Sequence, residues 1–231
     1  MNLHSRRFIR PALGTLCLAT LAALQACNGD ACFGVDVCFN NNNNTQTVAL
    51  SGTAATGDAL ASAQVTVSCV TGSATTLTDG GGNYRVTVNA ALPCVVTVTS
   101  GGTSLHSLAY AGGTFNTTPE TELMLVYLAA QLGTNTAALI GNFQGNPRYQ
   151  QAMNSANTVQ AAQSAVVTNL QQRYSVTLTA PAFLTTSFTV GQPGVDSDLV
   201  ALAKAGAIDA NGMPDPAAVS LLTQAGATHP L

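Results

Sequence analysis

The chain contains little charge and very few basic residues. Only 7% of its residues are charged, and three of its seven basic residues lie within the first ten positions. Beyond position 27, four basic residues stand against ten acidic ones, which is a net charge of −6. Nucleic-acid binding by counterion release needs clustered Lys and Arg side chains. The composition therefore argues against a nucleic-acid partner.

The sequence also lacks the signatures of common enzymes and metal sites. It contains no Gly-x-Ser-x-Gly nucleophile elbow, no His-Glu-x-x-His and no phosphate-binding loop. Cys-x-x-Cys is absent and there are only three histidines, so we expect neither a metal nor a cofactor. Trp is absent too, whereas Ala, Thr, Gly and Val are plentiful. This balance is typical of an exported protein with a Thr-rich β surface.

The N-terminus has the layout of a secretory signal. Arg6, Arg7 and Arg10 precede an apolar run at positions 13–24, which ends at Leu24-Gln25-Ala26-Cys27. A transmembrane helix would need about 20 consecutive apolar residues, and this run is shorter. The alternatives that remain are an ordinary secretory signal, with Cys27 as a disulfide partner, and a lipoprotein signal.

The Leu-Gln-Ala-Cys segment resembles the lipobox of bacterial lipoproteins. The resemblance implies cleavage before Cys27 and a diacylglycerol on its thiol, so that the membrane becomes the partner of the mature chain. Stable anchoring requires more than one acyl chain, which a lipoprotein cysteine carries. Asn28, rather than Asp, follows the cysteine, and this resembles the default sorting to the outer membrane of a Gram-negative cell. The face of that membrane stays open.

Four cysteines remain for pairing in an oxidising compartment, namely Cys32, Cys38, Cys69 and Cys94. Four cysteines allow three connectivities, and we favour Cys69 with Cys94 and Cys32 with Cys38. Residues 27–46 are predicted to form a flexible tether, because they include five consecutive asparagines at 40–44 and show no hydrophobic periodicity.

Residues 47–112 alternate between apolar and polar side chains with period two. Val65 and Val67, and further along Val96 and Val98, alternate with Thr and Ser, and Gly-rich turns separate the runs. Short strands at this spacing predict a β-sandwich. Cys69 and Cys94 fall on the apolar faces of their strands, so we expect them to meet across the core.

Three segments carry a family resemblance: Val48-Ala49-Leu50-Ser51-Gly52, Leu60-Ala61-Ser62-Ala63-Gln64-Val65-Thr66-Val67, and Thr78-Asp79-Gly80-Gly81-Gly82-Asn83-Tyr84-Arg85-Val86. Together they resemble the carboxypeptidase regulatory-like domain. The resemblance implies a transthyretin-like β-sandwich in which Asp79 starts a turn, a glycine takes a positive φ and Tyr84 packs inward. It implies no catalytic activity, because members of that family are non-catalytic appendages.

Residues 113–231 change to a helical period. Thr118-Pro119-Glu120 is a strong helix start, and one long helix is predicted over 147–174, with shorter helices at 196–205 and 215–224. Residues 175–194 are predicted to be irregular and to pack across the helices.

A few polar residues are candidates for chemistry, each with a plainer interpretation. His106 could act as a base for Ser104 or Ser107, although a histidine at a sheet edge is far commoner. The acidic pairs Asp196/Asp198 and Asp209/Asp215 could hold Ca²⁺ or transfer protons, but helix capping and a turn explain them better. Glu120 and Glu122 are interpreted as helix N-terminal acids.

The sequence thus predicts a mainly β plus α protein with four parts: a lipoprotein signal at 1–26, a tether at 27–46, an Ig-like or transthyretin-like β-sandwich at 47–112 and a small helical domain at 113–231. The predicted function is a non-enzymatic outer-membrane lipoprotein that binds a protein or glycan of unknown identity. A purely structural envelope component is the alternative, followed by an enzyme with an unrecognised site.

Overall fold

The computed structural model describes residues 31–33, 37–39 and 45–231, and the chain divides into two compact units, Met1–Asn42 and Asn43–Leu231. In the first unit, strands β1 (Ala31–Phe33) and β2 (Val37–Phe39) pair in antiparallel fashion, and Cys32 lies opposite Cys38. This backbone register suits the predicted Cys32–Cys38 disulfide, whose sulfur atoms lie outside the described side chains. The signal at 1–26, Cys27 and the asparagine run also lie outside the described residues.

The second unit is built on a six-stranded sheet in the order β5-β4-β6-β3-β8, with β7 pairing with β6. All strand pairs are antiparallel except β3 with β8, which is parallel. Because one pair differs, the sheet is mixed. The strands are β3 (Gln46–Thr53), β4 (Gln64–Thr71), β5 (Ser73–Leu77), β6 (Asn83–Ser100), β7 (Thr103–Ala109) and β8 (Gly113–Thr114).

Strand β6 is 18 residues long and belongs to two different sets of neighbours. Its first half pairs with β3 and its second half pairs with β4 and β7. The alternation predicted for these strands is present, since Val65 and Val67 are fully buried, as are Val96 and Val98. Each of these strands therefore turns one apolar face to the interior.

Cys69 and Cys94 form a disulfide bond within the sheet. The two residues lie directly opposite each other on β4 and β6, which are neighbouring antiparallel strands. The predicted Cys69–Cys94 pairing is confirmed, but the two residues lie side by side in one sheet rather than meeting across the core. Both side chains do point inward, but period-two alternation specifies only the face and not the partner strand.

Six α-helices follow the sheet. Helix α1 begins as predicted, because Thr118 caps it and exchanges side-chain hydrogen bonds with Thr121. The single helix predicted over 147–174 is instead two helices, because Ser155 adopts an extended conformation and caps the second with its hydroxyl. The helices are α1 (Pro119–Gln131), α2 (Thr136–Asn142), α3 (Pro147–Asn154), α4 (Ala156–Tyr174), α5 (Val195–Lys204) and α6 (Pro216–Ala227).

The buried apolar side chains of the strands and the helices belong to one hydrophobic cluster. Helix α1, which is buried on nearly every side, packs against α6, α4 and β7. Strand β8 lies just past the predicted boundary at 112/113 and still pairs with β3. The sheet and the surrounding helices confirm the mixed β plus α class.

An irregular segment at 181–190 is held beside β3 by hydrogen bonds to buried side chains, chiefly Asn116. The Asn116 amide nitrogen donates to the carbonyls of Phe183 and Thr186, and its amide oxygen accepts from the Thr53 N–H. Thr53 in turn donates to the Phe188 carbonyl. These bonds fix the segment beside β3, next to the site described below.

Candidate functional site

The outer edge of β7 is covered by side chains from the first turns of α1. The His106 N–H donates to Glu122 Oε2 at 2.7 Å, and Thr121 Oγ1 donates to the His106 carbonyl at 2.8 Å. These bonds satisfy the two outward-facing backbone groups of His106, at the middle of β7. Helix α1, which packs against β7, therefore covers the middle of this edge.

The same contacts decide the role of His106. Its Nδ1 lies 3.0 Å from Glu122 Oε2, and among the described residues no serine hydrogen-bonds to the ring. Ser107 is fully buried on the opposite face of β7, and its hydroxyl finds no partner. Neither Ser104 nor Ser107 therefore forms a nucleophile–base pair with His106. The histidine ring instead contacts Glu122, the side chain that covers this edge.

Strand β3 uses alternate residues for its two sides. The Ala54 N–H donates to the Gly82 carbonyl, so in this antiparallel register the backbone N–H and carbonyl groups of the even-numbered residues of β3 point towards β6. The backbone groups of the odd-numbered residues point away from β6, towards β8. Accordingly, the carbonyls of Ser51 and Thr53 accept hydrogen bonds from the chain just after β8, at 2.7 and 3.0 Å.

This covering stops partway along β3. Strand β8 is only two residues long, and its parallel register sets Gly113 opposite Leu50. In a parallel ladder, Gly113 bonds the residues flanking Leu50, so β8 occupies this edge from the Ala49 carbonyl onward. On β3, three backbone groups have no ladder partner among the described residues: the N–H and carbonyl of Thr47 and the N–H of Ala49.

A groove runs along this open stretch, and we call it the β3 edge groove. Its volume is about 520 Å³. Thr47 and Ala49 are exposed on its floor, and Gly112 lies at the end where β8 begins. A Cβ on Gly112 would come within 3.4 Å of the Ala49 carbonyl oxygen, so the missing side chain keeps that end open. The groove is lined by residues 46–51 of β3 together with Arg85, Gly112 and Gly113.

A second concavity, of about 340 Å³, adjoins the groove and shares Ser51 and Arg85 with it. Its far end is formed by the predicted Asp79 turn. Asp79 Oδ1 accepts from the N–H groups of Gly81 and Asn83 at 2.9 and 2.8 Å, and the Asn83 bond is the chief reason that the pKa of Asp79 lies below its ordinary value.

The other features expected of this turn are also present. Gly82 has a φ of +79°, and its Cβ would clash with the Ala54 carbonyl, so this position requires glycine. Tyr84 is buried and donates to the Phe115 carbonyl. The turn therefore joins β3, β6 and the chain after β8 at one end of the site.

The predicted acidic pair Asp196 and Asp198 binds backbone groups of the segment that precedes α5. Asp198 accepts hydrogen bonds from the N–H groups of Thr179 and Ala180, both at 2.8 Å, and from the Thr179 hydroxyl at 3.0 Å. Asp196 accepts from the Gly191 N–H at 2.8 Å. Both carboxylates therefore hold the irregular segments that precede α5, which plain helix capping did not anticipate.

The carboxylate of Glu120 has no hydrogen-bond partner among the described residues. It is 1% exposed. Burial raises the pKa of Glu120 well above its ordinary value, and the negative charge of Asp198 raises it further. Glu120 is therefore neutral to a higher pH than an exposed glutamate.

Asp209 and Asp215 do not act together. Asp209 accepts from the N–H groups of Asn211 and Met213 in a local turn, and Asp215 caps α6 through the Ala217 N–H. Among residues 31–33, 37–39 and 45–231, no group of three or more His, Cys, Asp or Glu side chains converges on a metal position.

Comparison with protein-family models, with curated proteins and with solved structures finds no match to this chain. Within the described helices, none is alone long and apolar enough to cross a membrane; the pair Pro119–Gln131 and Thr136–Gly145 passes that test only together, with an 85° bend.

Sequence reasoning predicted the strands of the site but missed the groove. The residues that matter there are Thr47, Ala49, Arg85 and Gly112. Ala49 and Arg85 lie in segments that carry the family resemblance, but the resemblance assigns neither of them a role. The one available signal was that the apolar alternation ends soon after Gly113. A strand there could only be short and could pair with only part of another strand.

Proposed function

We propose that this protein is a non-enzymatic, lipid-anchored envelope protein that binds an extended segment of another protein at the β3 edge groove. The observation that carries the proposal is the set of three open backbone groups on β3 beside a preformed concavity. An exposed strand edge binds an extended peptide through its main chain, and the adjoining pockets select the side chains.

The open groups suit a peptide that runs parallel to β3. A peptide residue opposite Val48 would donate its N–H to the Thr47 carbonyl and accept from the Ala49 N–H. The peptide residue two positions earlier would accept from the Thr47 N–H. Because alternate residues face the same side, the side chains of these two peptide residues would lie together on one face of the added strand.

The cellular setting of the proposal rests on the N-terminal sequence. The lipobox-like Leu24-Gln25-Ala26-Cys27 supports attachment through Cys27, and Asn28 supports an outer-membrane location. A membrane surface raises the local concentration of anchored partners, which would help a site that offers few hydrogen bonds.

We also propose the finer architecture suggested by the carboxypeptidase regulatory-like resemblance, a transthyretin-like sandwich. Its support is that strand β6 is shared: the first half of β6 pairs with β3, and the second half pairs with β4 and β7. Buried side chains from both halves of β6 enter the same hydrophobic cluster. Two sheets that share one long strand can face each other in this way.

Filling the groove tests the binding proposal. The probe is a library of dye-labelled, N-acetylated octapeptides, each made as a free acid and as a C-terminal amide, with binding to the full mature chain measured by fluorescence anisotropy. We expect wild-type protein to bind a subset of the peptides and Gly112→Val not to bind them, because the valine side chain would enter the groove. Gly112 does not have a positive φ, so the substitution should not strain the backbone.

Gly141→Val is the matched control. Gly141 lies in α2, and a Cβ there meets nothing within 4 Å. Retention of the same peptides by Gly112→Val, or an absence of binding by the wild type, would refute peptide binding at this edge.

A further inference from the structure

We infer that the β3 edge groove binds the free C-terminus of its partner, with the chain parallel to β3 and the terminal carboxylate held between Arg85 and the Ala49 N–H. This inference rests on the proposed function and adds the chemical class of the ligand.

The first argument is that the edge is blocked at one end. An added parallel strand would pair with Thr47 and Ala49 and would then meet Gly113, which already occupies the next position along the edge. The N–H of a further peptide residue would need the Ala49 carbonyl, and in the parallel ladder that carbonyl belongs to Gly113. The bound chain must therefore end or turn away at Ala49.

The second argument is the charge at the blocked end. Arg85 is exposed, lies opposite Ser51 in the register of β3 with β6, and lines the groove together with Gly112 and Gly113. Among the described residues no carboxylate forms an ion pair with its guanidinium. Asp79 lines the adjoining concavity, but both of its oxygens accept hydrogen bonds from Asn83 or Gly81 within its own turn.

The third argument is direction. A chain parallel to β3 presents its C-terminus at the blocked end, whereas an antiparallel chain would present its N-terminus there. A terminal ammonium beside the Arg85 guanidinium would be repelled, and a carboxylate would be attracted. Guanidinium pairs with carboxylate through two parallel N–H bonds, and the Ala49 N–H supplies one further donor. Only the parallel chain with a free C-terminus satisfies the edge and the charge together.

The experiment compares each selected octapeptide as a free acid and as a C-terminal amide, on the full mature chain, by fluorescence anisotropy. We expect the wild type to bind the free acid about 10-fold more tightly, which is the effect of one charge-assisted contact. Arg85→Gln should remove this preference and Arg85→Lys should retain part of it. Arg173→Gln should leave it intact, because that guanidinium lies on the Tyr174 ring in α4.

Each outcome separates the inference from the proposed function. Equal binding of acid and amide, together with loss of both in Gly112→Val, would overturn the C-terminal inference and leave strand addition standing. A preference for the acid that persists in Arg85→Gln would overturn the role of Arg85. Peptides bound equally by Gly112→Val and wild type would overturn the proposed function itself.

Discussion

The buried carboxyl of Glu120 is the most unusual single residue of the fold. It lies in the first turn of α1, where an acid favours the helix dipole, yet it is shielded from water and lacks a hydrogen-bond partner. Asp198 nearby accepts three hydrogen bonds, whereas Glu120 accepts none from the described residues. Burial therefore favours the protonated form of Glu120.

This arrangement predicts a pH dependence of stability. In the unfolded chain Glu120 ionises near its ordinary pKa of 4.5, whereas burial raises its pKa in the folded protein. Its contribution to folding is therefore fully present below pH 4.5 and is lost as pH rises through the folded pKa, at about 1.4 kcal/mol for each unit of pKa elevation.

Glu120→Gln should remove that loss, because the amide does not ionise. Urea unfolding of wild type and variant at about pH 4 and about pH 8 measures the effect. The free energy of unfolding of the variant, relative to that of wild type, should increase from about pH 4 to about pH 8. Asp79 and Asp209, whose pKa values are lowered, give the opposite dependence in both proteins and cancel in the comparison. A difference that stays constant with pH would contradict the proton assignment.

Among the elements, the sheet edges are treated differently from one another. Helix α1 covers the middle of β7 through Thr121 and Glu122, whereas β8 covers only the second half of β3. Uncovered edges are templates for pairing, and the open part of β3 lies beside a groove, so it is the edge that we propose binds a partner. This contrast is why β3 rather than β7 carries the proposed function.

The Cys69–Cys94 bond joins neighbouring strands that are 25 residues apart in sequence. In the chain-entropy model a loop of this length contributes about 3 kcal/mol to stability by restricting the unfolded chain. Cys69→Ser, Cys94→Ser and the double variant should therefore lose the same amount, as measured by denaturant unfolding. Clearly additive losses would show that the two residues contribute independently.

At the scale of the whole molecule, the proposed lipid anchor at Cys27 would determine where the groove operates. The unit Asn43–Leu231 carries the proposed binding site, and Cys27 precedes it in the sequence. If Cys27 is lipidated, Cys27→Ala should move the protein from the membrane fraction to the soluble periplasmic fraction, because the mature chain then lacks its acyl chains.

Fractionation followed by immunoblotting measures this shift, and the intact mass of the wild-type protein checks the modification directly. An unchanged membrane fraction for Cys27→Ala would contradict anchoring through that residue. Binding of octapeptides by the released protein should be unaffected, because the β3 edge groove is built from residues 46–51, 85, 112 and 113.

Much of the element pattern was predictable from sequence because its causes are local. Period-two alternation identifies Val65, Val67, Val96 and Val98 as buried strand residues, and the Thr118 cap identifies the start of α1. The break at Ser155 was missed, since a serine within a helical period can either point to solvent or cap a new helix.

The sequence by itself determined the composition class, the strand and helix periods, the inward faces of Cys69 and Cys94, and the candidate anchor at Cys27. Only the tertiary structure decided that β8 covers half of β3, that Glu120 is buried beside Asp198, and that Arg85 lies at the blocked end of an open edge. The physical reason is that periodicity depends on neighbours in the chain, whereas edge exposure, desolvation and charge placement depend on residues brought together by packing from distant positions.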